Sequence, residues 1–217
     1  MSTVLAVFRL SMKRAKASFW LPIFLVYVLL PGLVVTSSKS LEPERCCEIL
    51  SFAVNSLLPI CAVLWGMAYL QIWIDNDAVE TIHACDRGRR TCAGAMAFLG
   101  ALLWLMALPG SIAAYHALGY PLAQWGKLGA EIFFSLATLY FVSILTRSVG
   151  AGVIAIISYL LFCALFSNDN TVSKFCIIDV KIGQIQEILP RYLVVFGANI
   201  VICFLAHLAE RYVYRKY

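Results

Sequence analysis

The side chains best suited to chemistry in this sequence are three histidines and one serine. His83, His116 and His207 fall in three separate segments, so we expect no metal site. Ser111 precedes His116 by five residues, and a helix would set the two about 140° apart, a poor geometry for a nucleophile and its base. The sequence contains neither GxxxxGK[ST] nor HExxH. We therefore expect no catalytic residue, no metal and no cofactor in this chain.

A polar segment between two apolar runs, residues 76–90, has the pattern of a short helix. Asp77 stands three residues before Glu80, which suggests an N-cap with a capping partner. Gly88 is placed to end the helix, and arginines surround it near the negative end of the helix dipole. The helix would show one apolar strip, consisting of Val79, Ile82 and Cys85. We expect this strip to dock on a partner, although a charged turn packed only on its own helices is the alternative.

Three polar residues stand within long apolar runs: Asn55, Glu131 and Asn199. A charge at mid-bilayer costs about 2.5–3.5 kcal/mol on insertion scales, so such residues are candidates for a substrate path. Glu131 lies close to the end of its run, which leaves an interfacial role equally open. Asn55, Asn199 and His207 more often link helices through hydrogen bonds, worth ~0.6–2 kcal/mol each, than contact a ligand. We expect the run that carries Glu131 to face the path or a partner.

The elements that position these residues follow from composition. The chain is 62% hydrophobic and 13% charged, whereas soluble domains are about 45–50% apolar and about 25% charged. Apolar runs of ~20 residues cross a hydrocarbon core ~30 Å thick, and they cross it as helices. The sequence therefore predicts an all-α membrane bundle, one domain over residues 1–217, with a tight turn between the fourth and fifth of its six spans. The spans are 19–35, 49–74, 93–115, 128–146, 149–167 and 189–209.

The segment before the first span, residues 1–18, is basic on one side and apolar on the other. We predict an amphipathic helix at the membrane interface, with a simple basic flank as the alternative. Most of the 17 Lys and Arg residues lie on the cytoplasmic side if both termini are cytoplasmic. We expect a multi-pass protein of the cell inner (plasma) membrane, whose first span is an anchor and not a cleaved signal peptide. Anionic lipid accounts for the net charge of +5, and no nucleic acid is needed.

Three of the eight cysteines, Cys46, Cys47 and Cys176, would face outward in this topology. No CxxC motif is present, so disulfide exchange chemistry is not expected. An odd number of outward cysteines leaves at least one unbridged. We expect free thiols, with a bridge between the first and last outer loops as the alternative.

The order of these elements resembles the permease subunit of type-2 ABC exporters. The shared features are an interfacial helix, two spans, a Glu-led cytoplasmic helix ending in arginines, four further spans and a short basic tail. The family's inner loop reads like Glu-x-x-x-x-x-Pro-x-Ser-Arg. Here Glu80 to Arg90 is in register, with Cys85-Asp86 near the proline position. A second similar stretch is 133–159, which closes on Arg147-Ser148 and re-enters at once. The resemblance implies a coupling helix formed by Asp77, Glu80, Ile82, His83, Asp86, Arg87 and Arg89.

The resemblance implies a transport function. This chain would pair with a second permease, identical or homologous, and would move an amphipathic or peptide-like substrate. ATP and Mg²⁺ would be bound by separate ABC ATPase subunits, so this chain itself would not be an enzyme. Two alternatives stay open: the substrate-binding membrane subunit of a vitamin importer, and an intramembrane enzyme.

Overall fold

The apolar runs of the sequence form helices in the structure, a computed structural model that describes residues 17–40, 42–74, 92–166, 176 and 185–214. Almost all of these residues are helical, and none of them lies in a strand. A π-helical turn, Leu25–Leu29, separates the first two helices. The helices are α1 (Ala17–Phe24), α2 (Leu30–Ser40), α3 (Pro43–Trp73), α4 (Cys92–Leu118), α5 (Ala123–Thr146), α6 (Val149–Phe166) and α7 (Ile185–Tyr214).

Four helices in the described part of the chain are long and apolar enough to cross a membrane. Their apolar stretches are Glu44–Trp73, Ala93–Leu118, Ala123–Thr146 and Pro190–Tyr212. Two shorter apolar helices, Trp20–Thr36 and Val149–Cys163, occupy the positions of the first and fifth predicted spans. The prediction of an all-helical membrane protein is thus confirmed, while the number of six spans stays a prediction.

The π-helical turn interrupts the first helical stretch next to a proline. The Leu30 N–H donates to the carbonyl of Leu25, five residues back instead of four. Pro31 follows directly and has no N–H to donate to the Tyr27 carbonyl, so the regular ladder is already broken here. Turns of this kind are frequent near functional positions in helices.

Helix α5 is the centre of the bundle. It packs against α3, α4, α6 and α7, and its most extensive contact is with α7. Two-thirds of its apolar stretch is buried (67%), against 28% for α4 and 22% for α7. The outer helices therefore present apolar faces outward, as helices in contact with lipid or with a second membrane subunit do.

Contacts along α5 fix the directions of its neighbours. The Asn199 side chain donates to the Ala130 carbonyl, and Glu210 is bonded to Tyr140, so α7 runs parallel to α5. Helix α6 runs antiparallel, because the rings of Phe134 and Tyr159 lie 5.5 Å apart at one end. At the other end the tight turn predicted between these two helices joins them.

That turn is built on Arg147 in the left-handed conformation, with a φ of 52°. The Ser148 N–H donates to the Ser143 carbonyl at 3.2 Å, which satisfies an end carbonyl of α5 as in a Schellman motif. Immediately beyond it, Gly152 lies against α5. A Cβ added there would overlap Ser143 Oγ and lie 2.9 Å from the Leu139 carbonyl oxygen. The missing side chain is what lets the two helices approach so closely.

Helices α4 and α5 are joined by a pair of tryptophans. The indole rings of Trp104 and Trp125 stack with centroids 4.2 Å apart. Trp104 Nε1 donates to the Trp125 carbonyl at 2.8 Å, and Trp125 Nε1 donates to the Trp104 carbonyl at 3.0 Å. Gly129 leaves room for this pair, since an added Cβ would lie 2.7 Å from Trp104 Nε1.

Candidate functional site

A line of buried polar side chains runs along the central helix. Gln124, Lys127, Glu131 and Ser135 recur every three or four residues of α5, so they share one face. None is more than 2% exposed, and Glu131 is completely buried. Charged residues are almost never fully buried unless they are paired or hydrogen-bonded. This face therefore needs polar partners from the neighbouring helices.

Helix α7 supplies one of those partners. The Tyr192 hydroxyl donates to Glu131 Oε1 at 3.2 Å, and Lys127 Nζ lies 5.9 Å from the centroid of the Tyr192 ring. Lys127 and Glu131, one helical turn apart, thus meet the same tyrosine through its ring and its hydroxyl. We call Lys127, Glu131 and Tyr192 the Glu131 cluster. It places a cation and a carboxylate between α5 and α7.

Polar groups also approach from α3 and from the segment between α4 and α5. Asn55 Nδ2 donates to Ser51 Oγ at 3.2 Å, and the Ser51 side chain interacts with the Tyr120 hydroxyl. Burial raises the pKa of Tyr120 to about 12, and the nearby Glu131 carboxylate contributes to the rise. Asn55, Ser51 and Tyr120 therefore form a polar link from α3 toward the Glu131 cluster.

Gln124 completes this region. Its side chain is 1% exposed, and neither of its amide atoms has a hydrogen-bond partner among the residues that the structure describes. Leaving a buried amide unsatisfied costs about 1–3 kcal/mol. A bound water or a polar group of a substrate would gain hydrogen bonds at this position.

Comparisons with known protein families, with curated proteins and with solved structures return no match to this chain.

The structure buries all three intramembrane residues singled out from the sequence. Glu131 lies in the Glu131 cluster, and Asn55 bonds to Ser51, whose side chain interacts with Tyr120. Asn199 Nδ2 donates to the Ala130 carbonyl at 3.1 Å, so it links α7 to α5 beside Glu131. Asn199 therefore makes a hydrogen bond between helices, as the sequence favours for the asparagines.

A second buried carboxylate was missed in the sequence. The Tyr140 hydroxyl donates to Glu210 Oε2, and His207 Nδ1 lies 3.9 Å from the same oxygen. Glu210 is 7% exposed, and Tyr140 is fully buried. The predicted last span ended at residue 209, just before this glutamate. The available signal was the His207–Glu210 spacing of three residues, which places both side chains on one face of α7.

The other predicted residues divide into two groups. Asp77, Glu80, Ile82, His83, Asp86, Arg87 and Arg89 lie outside the described residues, as does most of the predicted interfacial helix 1–18. Ser111 Oγ donates to the Ala107 carbonyl at 3.0 Å within its own helix, and His116 is exposed. No group of three His, Cys, Asp or Glu side chains in the described ranges could hold a metal ion.

The three cysteines expected to face outward are buried in the structure. No disulfide joins Cys46, Cys47 and Cys176 to one another, and all three thiols are shielded from solvent. The backbone at Cys176 is tied to the start of α7, because the Arg191 guanidinium donates to its carbonyl.

Proposed function

We propose that this chain is the membrane subunit of an ATP-driven exporter, with the Glu131 cluster on its substrate path. The observation that carries the proposal is the burial of a carboxylate and a lysine on the central helix, neither of them more than 2% exposed. Charged residues inside membrane helices are rare, because each costs several kcal/mol, and they commonly mark substrate or ion paths. A helix that only filled the bundle could be apolar throughout.

The surroundings of the cluster suit an amphipathic or peptide-like substrate. A carboxylate, an ammonium group and a tyrosine hydroxyl lie close together, with the unsatisfied amide of Gln124 one turn from Lys127. Together they could exchange hydrogen bonds with the charged or amide groups of a peptide. The apolar side chains around them would accept its nonpolar part. Because α5 contacts four other helices, a shift at the cluster would be transmitted through the bundle.

The energy source in this proposal is a pair of ABC ATPase subunits that bind ATP and Mg²⁺. Support for it comes from the sequence: residues 76–90 resemble a coupling helix, and the chain has no phosphate-binding loop of its own. A second permease would supply the other wall of the path, and access would alternate as the two halves rock against each other. In this view the chain performs no catalysis itself.

The experiment compares two variants one helical turn apart. Glu131→Gln keeps the shape of the side chain and an acceptor for Tyr192, but it removes the charge. Ser135→Ala removes a hydroxyl whose one hydrogen bond among the described residues goes back to the Glu131 carbonyl at 2.9 Å. The assay is ATP-dependent uptake of fluorescent amphipathic peptides into inverted membrane vesicles that contain the complex.

We expect Glu131→Gln to lower transport about tenfold or more, because hydrogen bonds to a charged group are worth ~1.5–3 kcal/mol and 1.4 kcal/mol is a factor of ten. Ser135→Ala should transport normally. Equal transport by both variants would show that Glu131 does not lie on the substrate path. A complex without any nucleotide-binding subunit would refute the exporter itself.

A further inference from the structure

Two cysteines from different parts of the chain lie against each other at one end of α6. Cys163 is in the last turn of α6, and Cys176 is in the segment between α6 and α7. Their side chains form a small buried cluster of their own, with Tyr159 and Leu160 packed against it. Each cysteine is 1% exposed, and both are present as thiols. Because a cysteine side chain has only two heavy atoms, this contact brings the two backbones close together.

The pair lies where little else joins two helices of the bundle. Helices α6 and α7 both pack on α5, but among the described residues they make few contacts with each other. Cys176 is already attached to α7, because the Arg191 guanidinium donates to its carbonyl oxygen. A covalent bond from Cys176 to Cys163 would therefore connect the end of α6 to the start of α7.

The predicted topology places the pair in an oxidising compartment. Cys163 is at the end of α6 that lies opposite the Arg147–Ser148 turn. The distribution of Lys and Arg predicts that this turn is cytoplasmic, so the end that carries Cys163 faces outward. Disulfides form and persist outside the cytoplasm, whereas cytoplasmic thiols are kept reduced. Both requirements of a disulfide, contact and an oxidising environment, therefore meet at this pair.

We propose that Cys163 and Cys176 are oxidised to a disulfide bond, which closes a loop over residues 164–175. The two thiols lose two protons and two electrons, and a disulfide-carrying oxidant outside the membrane accepts them. One thiolate attacks the S–S bond of the oxidant and releases a first thiol. The other thiolate then attacks the mixed disulfide, which forms the Cys163–Cys176 bond and releases the second thiol. The proposal does not depend on the exporter function.

The burial of the pair sets the order of events. A thiol that is 1% exposed is out of reach of an oxidant in the folded bundle. The bond is therefore made while the chain folds, before α6 and the segment at Cys176 pack together. Once formed, it is shielded from reductants by the same packing.

Trypsin cleaves the chain between the two cysteines, which makes the bond directly observable. Cleavage after Arg147, Lys174 and Lys181 gives the fragments 148–174 and 175–181, each with one cysteine. The full-length protein is purified from the membranes of the cells that produce it, with N-ethylmaleimide present throughout to block thiol exchange. It is then unfolded, digested and analysed by mass spectrometry. We expect the two fragments to remain joined, two hydrogens lighter than their sum, and to separate after reduction.

Alanine variants measure what the bond contributes. Cys163→Ala and Cys176→Ala each remove one partner, and Cys61→Ala is the matched control, because Cys61 on α3 is also 1% exposed. Closing a loop of this length restricts the unfolded chain, so the wild type and Cys61→Ala should lose about 5–10 °C of Tm when a phosphine reduces the bond. Neither Cys163→Ala nor Cys176→Ala should respond to the reductant.

Three results would overturn the proposal. The first is separate fragments 148–174 and 175–181 in the unreduced wild type, with both cysteines modified by N-ethylmaleimide. The second is a link from Cys163 or Cys176 to a different cysteine. The third is a loss of Tm on reduction that is as large in Cys163→Ala as in the wild type.

Discussion

Replacing Gly152 by alanine should weaken the packing of α6 on α5 by an amount that the structure allows us to bound. The new methyl would overlap Ser143 Oγ and lie 2.9 Å from the Leu139 carbonyl oxygen. The serine can rotate its hydroxyl away, but the carbonyl belongs to the α5 backbone and cannot. Overpacking of this kind costs about 1–3 kcal/mol. Alanine stabilises a helix by at most about 1 kcal/mol relative to glycine, through its higher helix propensity.

With the full propensity gain subtracted, the expected net loss is about 0–2 kcal/mol. For a chain of this size each kcal/mol lowers Tm by about 2–4 °C, so Gly152→Ala should melt up to about 8 °C below the wild type. Ser143→Ala in the same chain should restore only part of the loss. The assay is thermal unfolding of the purified protein in detergent, followed by circular dichroism.

Gly150→Ala is the control, two residues away on the same helix. A Cβ there would lie 3.6 Å from Ser148 Oγ, an ordinary contact, so we expect no loss of stability. If the Tm of Gly152→Ala were equal to or above the Tm of Gly150→Ala, α5 and α6 would not approach each other as closely as described.

Three further predictions concern other parts of the chain. Trp125→Phe removes the bond to the Trp104 carbonyl and should lower the free energy of unfolding by ~1 kcal/mol, a loss that chemical denaturation would measure. Tyr120 keeps its proton in the folded state up to a pKa of about 12, whereas the unfolded chain loses it near 10. The folded state then binds more protons, so stability should fall between pH 10 and pH 12, and Tyr120→Phe should reduce that slope in denaturation curves across this range. Ile82→Asp should weaken ATPase co-purification and abolish transport without lowering expression, because it places a charge in the predicted docking strip. Ile82→Leu should retain both association and transport. Normal association and transport by Ile82→Asp would make the loop a simple turn.

The helices could be predicted because each is an uninterrupted apolar run, and lipid leaves such a run no other structure. The turn after Thr146 followed in the same way, since two runs meet with too few residues between them for a loop. The ends of α5 and α7 were harder to predict. The predicted fourth span began at residue 128, because Gln124 and Lys127 are residues that normally mark the end of a span.

The position of α5 at the centre of the bundle could not be predicted from hydropathy. Its apolar stretch is no more apolar than that of α4, yet it is more than twice as buried. What distinguishes it is the set of partners of its polar face, and these lie far away in sequence. Tyr192 is 61 residues from Glu131, and Glu210 is 70 residues from Tyr140. A single sequence shows which residues are polar but not which of them meet.

The composition of the native complex decides whether this chain is, as we propose, the membrane subunit of an ATP-driven exporter. The measurement is native mass spectrometry of the complex, purified by a tag on this chain from the cells that produce it. We expect two permease chains, identical or homologous, together with two ATP-binding subunits. A chain that purifies alone, or with partners none of which binds nucleotide, would refute the exporter function.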